Sequence, residues 1–405
     1  MFRSLLLRRL ERLETGRVTL VEEGDRIVLG RADAAGLACE LTVHDPRFYA
    51  DVVLGGSIGA GESFMEGRWS ADDLTTLIRI FARDRRARGG LEAGAARLKG
   101  LVDRAWHRLR PNTLSGSRRN IAAHYDLGNE FFAAFLDPTL TYSCGLFAEE
   151  GSTLQEASVR KNDLICRKLE LGPHDEVLEI GCGWGGFAIH AAGRYGCRVL
   201  GVTLSRRQRD LALERVREAG LEGRVEIVLQ DYRRLPAALG RRFDKLVSIE
   251  MIEAVGARFL GDYFRVCAEL LQPAGSMLLQ GIVIADQQYR AYLHSVDFIQ
   301  RHIFPGGFLP SLTSLCGAMT EASDLRVAHL QDITSHYPRT LDAWRERFRA
   351  ESGRLESLGF DARFRRAWEF YFGYCAAGFL ERNIGVLQLL LARPAAAVPA
   401  LVPQR

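Results

Sequence analysis

The residues with the clearest chemical pattern lie between Val177 and Ala192, where the sequence reads VLEIGCGWGGFAIHAA. Gly181, Gly183 and Gly186 satisfy the spacing G-x-G-x-x-G of nucleotide-binding turns. The apolar run before them predicts a buried strand, and the run after them predicts a helix. Glycines at such a turn let the backbone approach a ligand, and the helix N-terminus favours anionic groups. The stretch therefore predicts a site for a nucleotide-like cofactor.

Two kinds of cofactor suit this turn, and acidic residues distinguish them. A nicotinamide dinucleotide site needs an acid about 20 residues beyond the first glycine, to bind the ribose. No Asp or Glu occurs from Arg194 to Arg209. Instead, Glu179 lies in the predicted strand before the turn, and Asp231 follows the third predicted strand. This layout, with the motif E/D-x-G-x-G-x-G at residues 179–185, is typical of S-adenosylmethionine-dependent methyltransferases.

A second motif, GGSIG at residues 55–59, satisfies the G-x-S-x-G pattern of a serine hydrolase. In that pattern a helix begins immediately after the nucleophile, which here would be Ser57. Gly59, Gly61 and Gly67 follow instead, and they predict a loop-rich stretch. We therefore do not expect a serine hydrolase.

The elements that must position the glycine turn alternate along the chain. Five apolar runs predict strands: EVLEIGCG, CRVLGVTL, VEIVLQD, FDKLVSIE and SMLLQGIV. Helical stretches such as SRRQRDLALERVREAG separate the first of them. Buried strands alternating with helices predict an α/β fold with a doubly wound, mostly parallel sheet. Residues 286–350 and 361–392 carry helical patterns.

The chain before this sheet has a different pattern, with short strand-like runs up to about residue 80 and a helix near residues 72–84. From Arg79 to Arg119 there are twelve Lys or Arg and three acids. Such a cluster forms a solvated helical face, or binds phosphates of lipid headgroups or nucleic acid. We predict an accessory domain (1–84), a basic linker (85–117), a methyltransferase domain (118–392) and a flexible tail (393–405).

Composition narrows the class of protein further. Because no window holds eighteen uninterrupted apolar residues, we predict no transmembrane helix. The N-terminus MFRSLLLRRLERLE has no apolar core long enough for a secretion signal. Its apolar residues share one helical face, which indicates a packing helix or, alternatively, a membrane-surface helix. Eight scattered cysteines without a C-x-x-C pair predict reduced thiols, a cytoplasmic protein and no metal site.

From His124 onward, successive motifs resemble those of the cyclopropane-fatty-acid synthase family. They are HYDLGNEFFAAFLDPTLTYSCGLF, VLEIGCGWGGFA, GVTLSRRQ, QDYRRL, SIEMIEAVG, DFIQRHIFPGG and GFLERNIGVLQ. The match spans about residues 118–392, and GAGESFMEGRW resembles the accessory domain of members that act on membrane phospholipids. The resemblance implies a Rossmann-like methyltransferase domain with a helical acyl-site insertion, about residues 285–345, and a smaller N-terminal accessory domain.

The family's chemistry is transfer of a methyl(ene) group from S-adenosylmethionine to the cis double bond of an unsaturated fatty acyl chain. The methyl sulfonium must lie close to the π bond, and the resulting carbocation needs a pocket without water. In the family, a bound bicarbonate removes a proton from the new methyl group, and the ring closes to a cyclopropane. The resemblance implies a peripheral enzyme on the anionic inner face of the membrane, not a nucleic-acid enzyme, with a homodimer as a possible assembly.

The resemblance also implies two sets of site residues. The cofactor would be bound by Tyr142, Ser143, Glu179, Gly181, Cys182, Gly183, Trp184, Gly185, Gly186, Thr203, Leu204, Gln208, Asp231 and Tyr232. The anion would be bound by the catalytic residues Cys144, Glu253, Gln280, Ile282 and Tyr337. Glu253 is assigned to the site because Glu250 is available nearby to cap the helix that follows the fourth strand.

One position departs from the family pattern. Members with the best-described anion site carry histidine where this chain has Gln280, and glutamine cannot carry a charge. The sequence therefore leaves two products as alternatives, a cyclopropane fatty acid and a methylene- or methyl-branched chain. A third alternative is a methyltransferase-fold protein that binds lipid or cofactor without turnover. A nucleic-acid methyltransferase is disfavoured, because SIEMIEAVG replaces the Asn/Asp-Pro-Pro-Tyr/Phe motif after the fourth strand.

Overall fold

The computed structural model describes residues 1–31, 36–84 and 127–397, and its contacts divide them into two compact units. One unit contains the residues up to 84 together with 290–305 and 341–384; the other contains 127–289, 306–340 and 385–397. The predicted domains are continuous segments, whereas these units alternate along the chain. The predicted linker, 85–117, lies outside the described residues, so its bounds stay a prediction.

The described elements are numbered in chain order. The strands are β1 (Gly16–Glu22), β2 (Asp25–Arg31), β3 (Ala38–Val43), β4 (Trp69–Ala71), β5 (Glu176–Ile180), β6 (Arg198–Thr203), β7 (Val225–Leu229), β8 (Phe243–Ile249), β9 (Leu271–Ile284), β10 (Arg326–Asp332) and β11 (Ile384–Ala392). The helices are α1 (Phe2–Leu10), α2 (Arg47–Met65), α3 (Leu74–Arg83), α4 (Asn129–Ala133), α5 (Leu154–Lys168), α6 (Gly186–Tyr195), α7 (Arg206–Glu218), α8 (Leu235–Leu239), α9 (Leu260–Leu270), α10 (Asp286–Tyr292), α11 (Phe298–His302), α12 (Leu312–Ala322), α13 (Tyr337–Ala350), α14 (Ser352–Ser357) and α15 (Ala362–Leu380).

The first unit contains a four-stranded sheet in the order β2-β1-β3-β4, built from the strand-like runs of the N-terminal sequence. Strand β1 pairs antiparallel with β2 and parallel with β3. In α1, Leu6 and Leu10 are buried, as in a packing helix. No helix within the described ranges is both long and apolar enough to cross a bilayer.

The loop expected around the G-x-S-x-G motif is wrong, because helix α2 runs through it with a kink at Gly56 (φ 60°, ψ −143°). At Gly59 an added Cβ would lie 2.1 Å from the carbonyl oxygen of Asp51, so the glycine allows the chain to pass closely across the kink. These glycines therefore serve packing within a bent helix. Since Ser57 follows a helical segment, the strand–nucleophile–helix arrangement of a hydrolase is absent at this position.

The second unit contains a seven-stranded sheet in the order β10-β11-β9-β8-β5-β6-β7. Strands β5 to β9 pair in parallel, and β10 pairs antiparallel with β11. The α/β fold predicted from the alternating runs is confirmed by this sheet and by the helices that alternate with its parallel strands. Helices α5, α6 and α7 bury their apolar faces with the strands in one core.

Strands β10 and β11 lie in segments predicted to be helical, so that part of the prediction is wrong. Strand β11 reads IGVLQLLLA and is buried along most of its length. A continuous apolar run has neither a period of two nor a period of 3.6, so its pattern does not separate a buried strand from a buried helix. The insertion predicted at the acyl site, about residues 285–345, is also divided between the two units, since 290–305 belongs to the first and 306–340 to the second.

Candidate active site

The glycine turn lies between β5 and α6 and is held against β6. The backbone N–H groups of Gly181 and Cys182 both donate to the carbonyl oxygen of Val202, at 2.9 and 3.0 Å. Gly181 has φ +85°, and an added Cβ would lie 2.7 Å from Cγ of Met251. Glycine is therefore required at this position for both its backbone conformation and its close contact.

A cavity surrounds this turn where β5, β6 and β8 end, as expected for a ligand site in a parallel sheet. Twelve of the fourteen residues predicted to bind the cofactor line it: Tyr142, Ser143, Glu179, Gly181, Cys182, Gly183, Trp184, Gly186, Thr203, Leu204, Gln208 and Tyr232. Gly185 and Asp231 are not among the lining residues. Gly185 takes a left-handed conformation that starts α6, and the buried Asp231 forms an ion pair with Arg233 at 2.7 Å.

Glu179 places a buried carboxyl group in the wall of the cavity. Its side-chain atom Oε2 is buried and has no hydrogen-bond partner. Burial raises the pKa of Glu179 to about 8, although nearby Lys161 acts in the opposite direction. An unpaired buried carboxylate oxygen is costly in free energy. It therefore offers a binding position to a cationic group in the cavity.

Lys161 and Asn162, on α5, also line the cavity and were not predicted from the sequence. The Lys161 Nζ donates to Asn162 Oδ1 at 2.8 Å, and burial lowers the lysine pKa to about 8. Lysine is rarely buried without a charged or polar partner. The sequence signal was weak, because a single lysine in an amphipathic helix normally faces solvent.

Glu250 binds three of the five groups that were predicted to hold an anion. Its Oε1 accepts from the backbone N–H of Cys144 at 2.9 Å and from Nε2 of Gln280 at 2.8 Å. Its Oε2 accepts from the hydroxyl of Tyr337 at 2.6 Å. The prediction that Glu250 caps a helix is wrong, because the helices that follow β8 have no side-chain cap and none of these three donors is a helix N-terminal N–H. Glu250 also lines the cavity.

Glu253 lies beside this cluster and binds the remaining predicted group. Its Oε1 accepts from the backbone N–H of Ile282, while its Oε2 is buried without a hydrogen-bond partner. Burial, and secondarily the charge of Glu250, raises the pKa of Glu253 to about 8. Two neighbouring buried carboxyl groups resist simultaneous ionisation, so they titrate as a coupled pair.

Two further side chains fix the orientation of Gln280. Its Oε1 accepts from Nε2 of Gln388 at 2.9 Å, and Oε1 of Gln388 accepts from Nζ of Lys168 at 2.7 Å. Because the lysine ammonium can only donate, Gln388 accepts from it through its oxygen and donates its NH₂ group to Gln280. The NH₂ group of Gln280 is then left as a neutral donor to the Glu250 carboxylate.

Comparison with known proteins identifies the family. The mycolic acid cyclopropane synthetase family matches residues 113–389. The chain is 38% identical to tuberculostearic acid methyltransferase UfaA1 of Mycobacterium tuberculosis, covering 91% of this chain and 86% of that protein. It is 36% identical to the cyclopropane-fatty-acyl-phospholipid synthase of Escherichia coli, covering 87% and 88%.

A solved structure agrees with these relatives. Mycolic acid cyclopropane synthase CmaA1, complexed with SAH and CTAB, is 32% identical and has a TM-score of 0.62, covering 68% of this chain and 98% of that one. The glycine turn, its cavity and the family match together confirm the methyltransferase prediction. The chain belongs to the mycolic acid cyclopropane synthetase family and is an S-adenosylmethionine-dependent methyltransferase of the cyclopropane synthase type.

Proposed function

We propose that the protein transfers a methyl(ene) group from S-adenosylmethionine to the cis double bond of an unsaturated fatty acyl chain of a membrane phospholipid, giving a cyclopropane fatty acid. The observation that carries this proposal is the pair of buried carboxyl groups, Glu250 and Glu253, at the cofactor cavity. Methylation of an alkene creates a cation that must lose a proton, and a base beside the cofactor can accept it. The Escherichia coli relative, named for this activity on phospholipids, supports the substrate.

The residues of the cavity fit S-adenosylmethionine, which supplies an electrophilic methyl group when bound. The glycine turn allows close approach of a nucleotide-like molecule, and Glu179 offers an unpaired carboxylate oxygen to a cationic group. Tyr142 and Trp184 line the cavity, and each ring packs against Phe132, at 5.5 and 5.1 Å between centroids. Aromatic faces stabilise cations, so these rings suit both the sulfonium and the cation formed on the acyl chain.

Substituting Glu179 by glutamine is expected to weaken S-adenosylmethionine binding by about 10- to 100-fold, because a charge-assisted hydrogen bond in a buried site is lost. The ionised form of Glu179 should bind the cofactor best. With a pKa of about 8, wild-type affinity should rise between pH 6.5 and 8.5, whereas the glutamine variant should lack this component. Isothermal titration calorimetry at several pH values measures both effects. Equal affinity of variant and wild type would remove Glu179 from the site.

The groups predicted to hold bicarbonate do not fit that anion in this chain. Cys144, Gln280 and Tyr337 donate to Glu250, and Ile282 donates to Glu253. A bicarbonate ion would need these same donors and would meet the carboxylate of Glu250 and the buried carboxyl group of Glu253. We therefore include no step through bicarbonate in the proposed reaction.

A second product class has support from one relative. Tuberculostearic acid methyltransferase UfaA1 is 38% identical to this chain, and its name indicates a methylated fatty acid as its product. The same first step, followed by a 1,2-hydride shift and loss of a proton from the new methyl group, gives a methylene branch. Loss of a chain proton instead gives a methyl-branched unsaturated chain, and a saturated methyl branch needs a separate two-electron reductant. Both products need a base, so the residues of the site do not distinguish them. Analysis of the lipid product distinguishes them.

Mass spectrometry of lipids from cells that express the protein tests the proposed function. Wild type should add one methylene mass to unsaturated acyl chains, and Gly181→Ala, a variant expected to bind the cofactor weakly, should add it to far fewer chains. Derivatisation of the same lipids separates a ring from an exocyclic methylene or a methyl branch. If wild type bound S-adenosylmethionine but changed no acyl chain, the proposed substrate would be wrong.

The basic stretch from Arg79 to Arg119 supports action at the inner, cytoplasmic face of an anionic membrane. Arg83 is a poor probe of this role, because it forms an ion pair with Glu381. Arg85, Arg86 and Arg88, which lie outside the described residues, are better positions. Replacing these three by glutamate should weaken binding to phosphatidylserine vesicles by at least about 100-fold at low salt, because each lost basic residue costs about 1 kcal/mol and each added carboxylate is repelled.

Vesicle co-sedimentation measures this effect, and phosphatidylcholine vesicles provide the uncharged control. Binding of wild type should fall as salt rises, because exposed charges are screened. Unchanged binding of the triple variant to anionic vesicles would assign the membrane role to another surface.

A further inference from the structure

We propose that the side chain of Glu250 replaces a free anion as the base of this enzyme and accepts the proton from the newly transferred methyl group. The inference rests on the proposed function and names the catalytic residue of its second step. It makes the enzyme independent of bicarbonate.

The hydrogen bonds of the cluster support this assignment. The backbone N–H of Cys144, the amide of Gln280 and the hydroxyl of Tyr337 converge on the two oxygens of one carboxylate, between 2.6 and 2.9 Å. Three donors arranged around two oxygens are the environment that a small oxyanion requires. The chain fills this environment with its own carboxylate.

The position of Glu250 directs its carboxylate to the reacting groups. Glu250 follows the last residue of β8 and lines the cofactor cavity, whereas Glu253 is not among the lining residues. Its backbone has φ 49°, a conformation that residues with a side chain rarely adopt. Its N–H donates to the carbonyl oxygen of Gln280 at 2.8 Å, which anchors the backbone in that conformation. Strained, anchored residues of this kind cluster at active sites.

This arrangement also explains the glutamine at position 280. A carboxylate built into the chain already carries the negative charge, so its partner needs only to donate a hydrogen bond. Gln388 and Lys168 orient the Gln280 amide as such a donor. Burial raises the pKa of Glu250 above its ordinary value, which makes its ionised form a stronger base.

The step balances in atoms and charge. The π electrons of the alkene form the new bond to the methyl carbon, and the carbon–sulfur bond breaks with its electron pair on the neutral thioether. The Glu250 carboxylate then takes one proton from that methyl group. The electrons of the broken C–H bond close the ring, and Glu250 later releases the proton to solvent, so that one proton leaves per turnover.

Glu250→Gly tests the proposal well, because glycine suits a backbone with φ 49° and removes only the side chain. In carbon-dioxide-free buffer its activity should fall by about 100-fold or more, the range for loss of a general base. Millimolar bicarbonate should restore at least a tenth of the wild-type rate, because the three donors become available. Glu250→Gln should be inactive with or without bicarbonate, since its amide fills the position.

Wild type should show the same activity in carbon-dioxide-free and bicarbonate buffers. Glu23→Gly is the matched control, because Glu23 is also a glutamate at positive φ (51°) but is exposed and far from the site in sequence; it should keep wild-type activity. Calorimetric binding of S-adenosylmethionine reports whether each variant retains its fold.

A binding readout separates this inference from the proposed function. Carbon-13 NMR should show broadening of the bicarbonate signal by Glu250→Gly and none by wild type or Glu250→Gln. Bicarbonate dependence or bicarbonate binding of wild type, or activity in Glu250→Gln, would overturn the inference while the proposed function stands. If wild type converts no unsaturated lipid, the proposed function fails and the base role fails with it.

Discussion

Replacing Gly181 by alanine should weaken S-adenosylmethionine binding by about 100-fold. Alanine at φ +85° costs about 1–2 kcal/mol. Its Cβ would also lie 2.7 and 3.0 Å from Cγ and Cβ of Met251, and overpacking of this kind costs about 1–3 kcal/mol. Gly181 and Met251 both line the cavity, so relief of the clash must move one of its walls. The clash, relieved by moving a wall of the cavity, corresponds at about 3 kcal/mol to about two orders of magnitude in affinity, whereas the backbone strain lowers the free energy of unfolding.

Calorimetry of Gly181→Ala against a matched glycine variant checks this expectation. Gly220 has φ +65° and no heavy atom within 4 Å of an added Cβ, so Gly220→Ala imposes similar backbone strain without the clash. Gly220→Ala should lose thermal stability but bind the cofactor as wild type does. If both variants bound normally, the turn would tolerate a side chain and the cavity would not depend on Gly181.

The cofactor cavity could be predicted from the sequence because its main determinants are local. Strand β5, the glycine turn and helix α6 are consecutive, and the conformations that the glycines require follow from their spacing. Six of the twelve predicted cofactor residues that line the cavity lie in this stretch, and the other six, among them Tyr142 and Tyr232, were implied by the family resemblance. Gly185 and Asp231 belong to the predicted motifs but do not line the cavity. Gly185 provides the left-handed backbone conformation before α6, and Asp231 forms an ion pair with Arg233.

The role of Glu250 could not be predicted in the same way, because its partners are distant in sequence. Cys144, Gln280 and Tyr337 are separated from it by 106, 30 and 87 residues. Only the fold brings these donors to the end of β8. In the sequence, Gln280 alone left the product of the reaction open. In the structure, Gln280 is one of three donors to the carboxylate of Glu250.

The same reasoning applies to Gln388, a polar residue inside the apolar run of β11. In the sequence it only interrupts a hydrophobic segment, and that segment was predicted to be helical. In the structure it is fully buried and connects Lys168 to Gln280. A buried polar side chain needs partners, so its function becomes visible only once the neighbouring strands are known.

Substituting Tyr337 by phenylalanine should lower turnover at neutral pH by about 10- to 100-fold, because a hydrogen bond to a charged group is worth about 1.5–3 kcal/mol. The Tyr337 hydroxyl stabilises the ionised form of Glu250 and so lowers its pKa, against the larger effect of burial. Without this donor the pKa of Glu250 rises further. The base must be ionised to accept a proton, so the acidic limb of the pH–activity profile should move to higher pH.

Tyr195→Phe is the matched control, since it also removes a hydrogen bond from tyrosine to a carboxylate, at 2.8 Å to Asp163, away from the cavity. It should leave the pH profile unchanged. Glu253→Gln should leave the acidic limb near its wild-type position, because the charge of Glu250 raises the pKa of Glu253, so Glu253 is still protonated where Glu250 ionises. The glutamine keeps an acceptor for the Ile282 N–H. A shift in Tyr337→Phe with none in Glu253→Gln would identify Glu250 as the titrating base. Loss of all activity in Glu253→Gln, with no shift in Tyr337→Phe, would assign that role to Glu253.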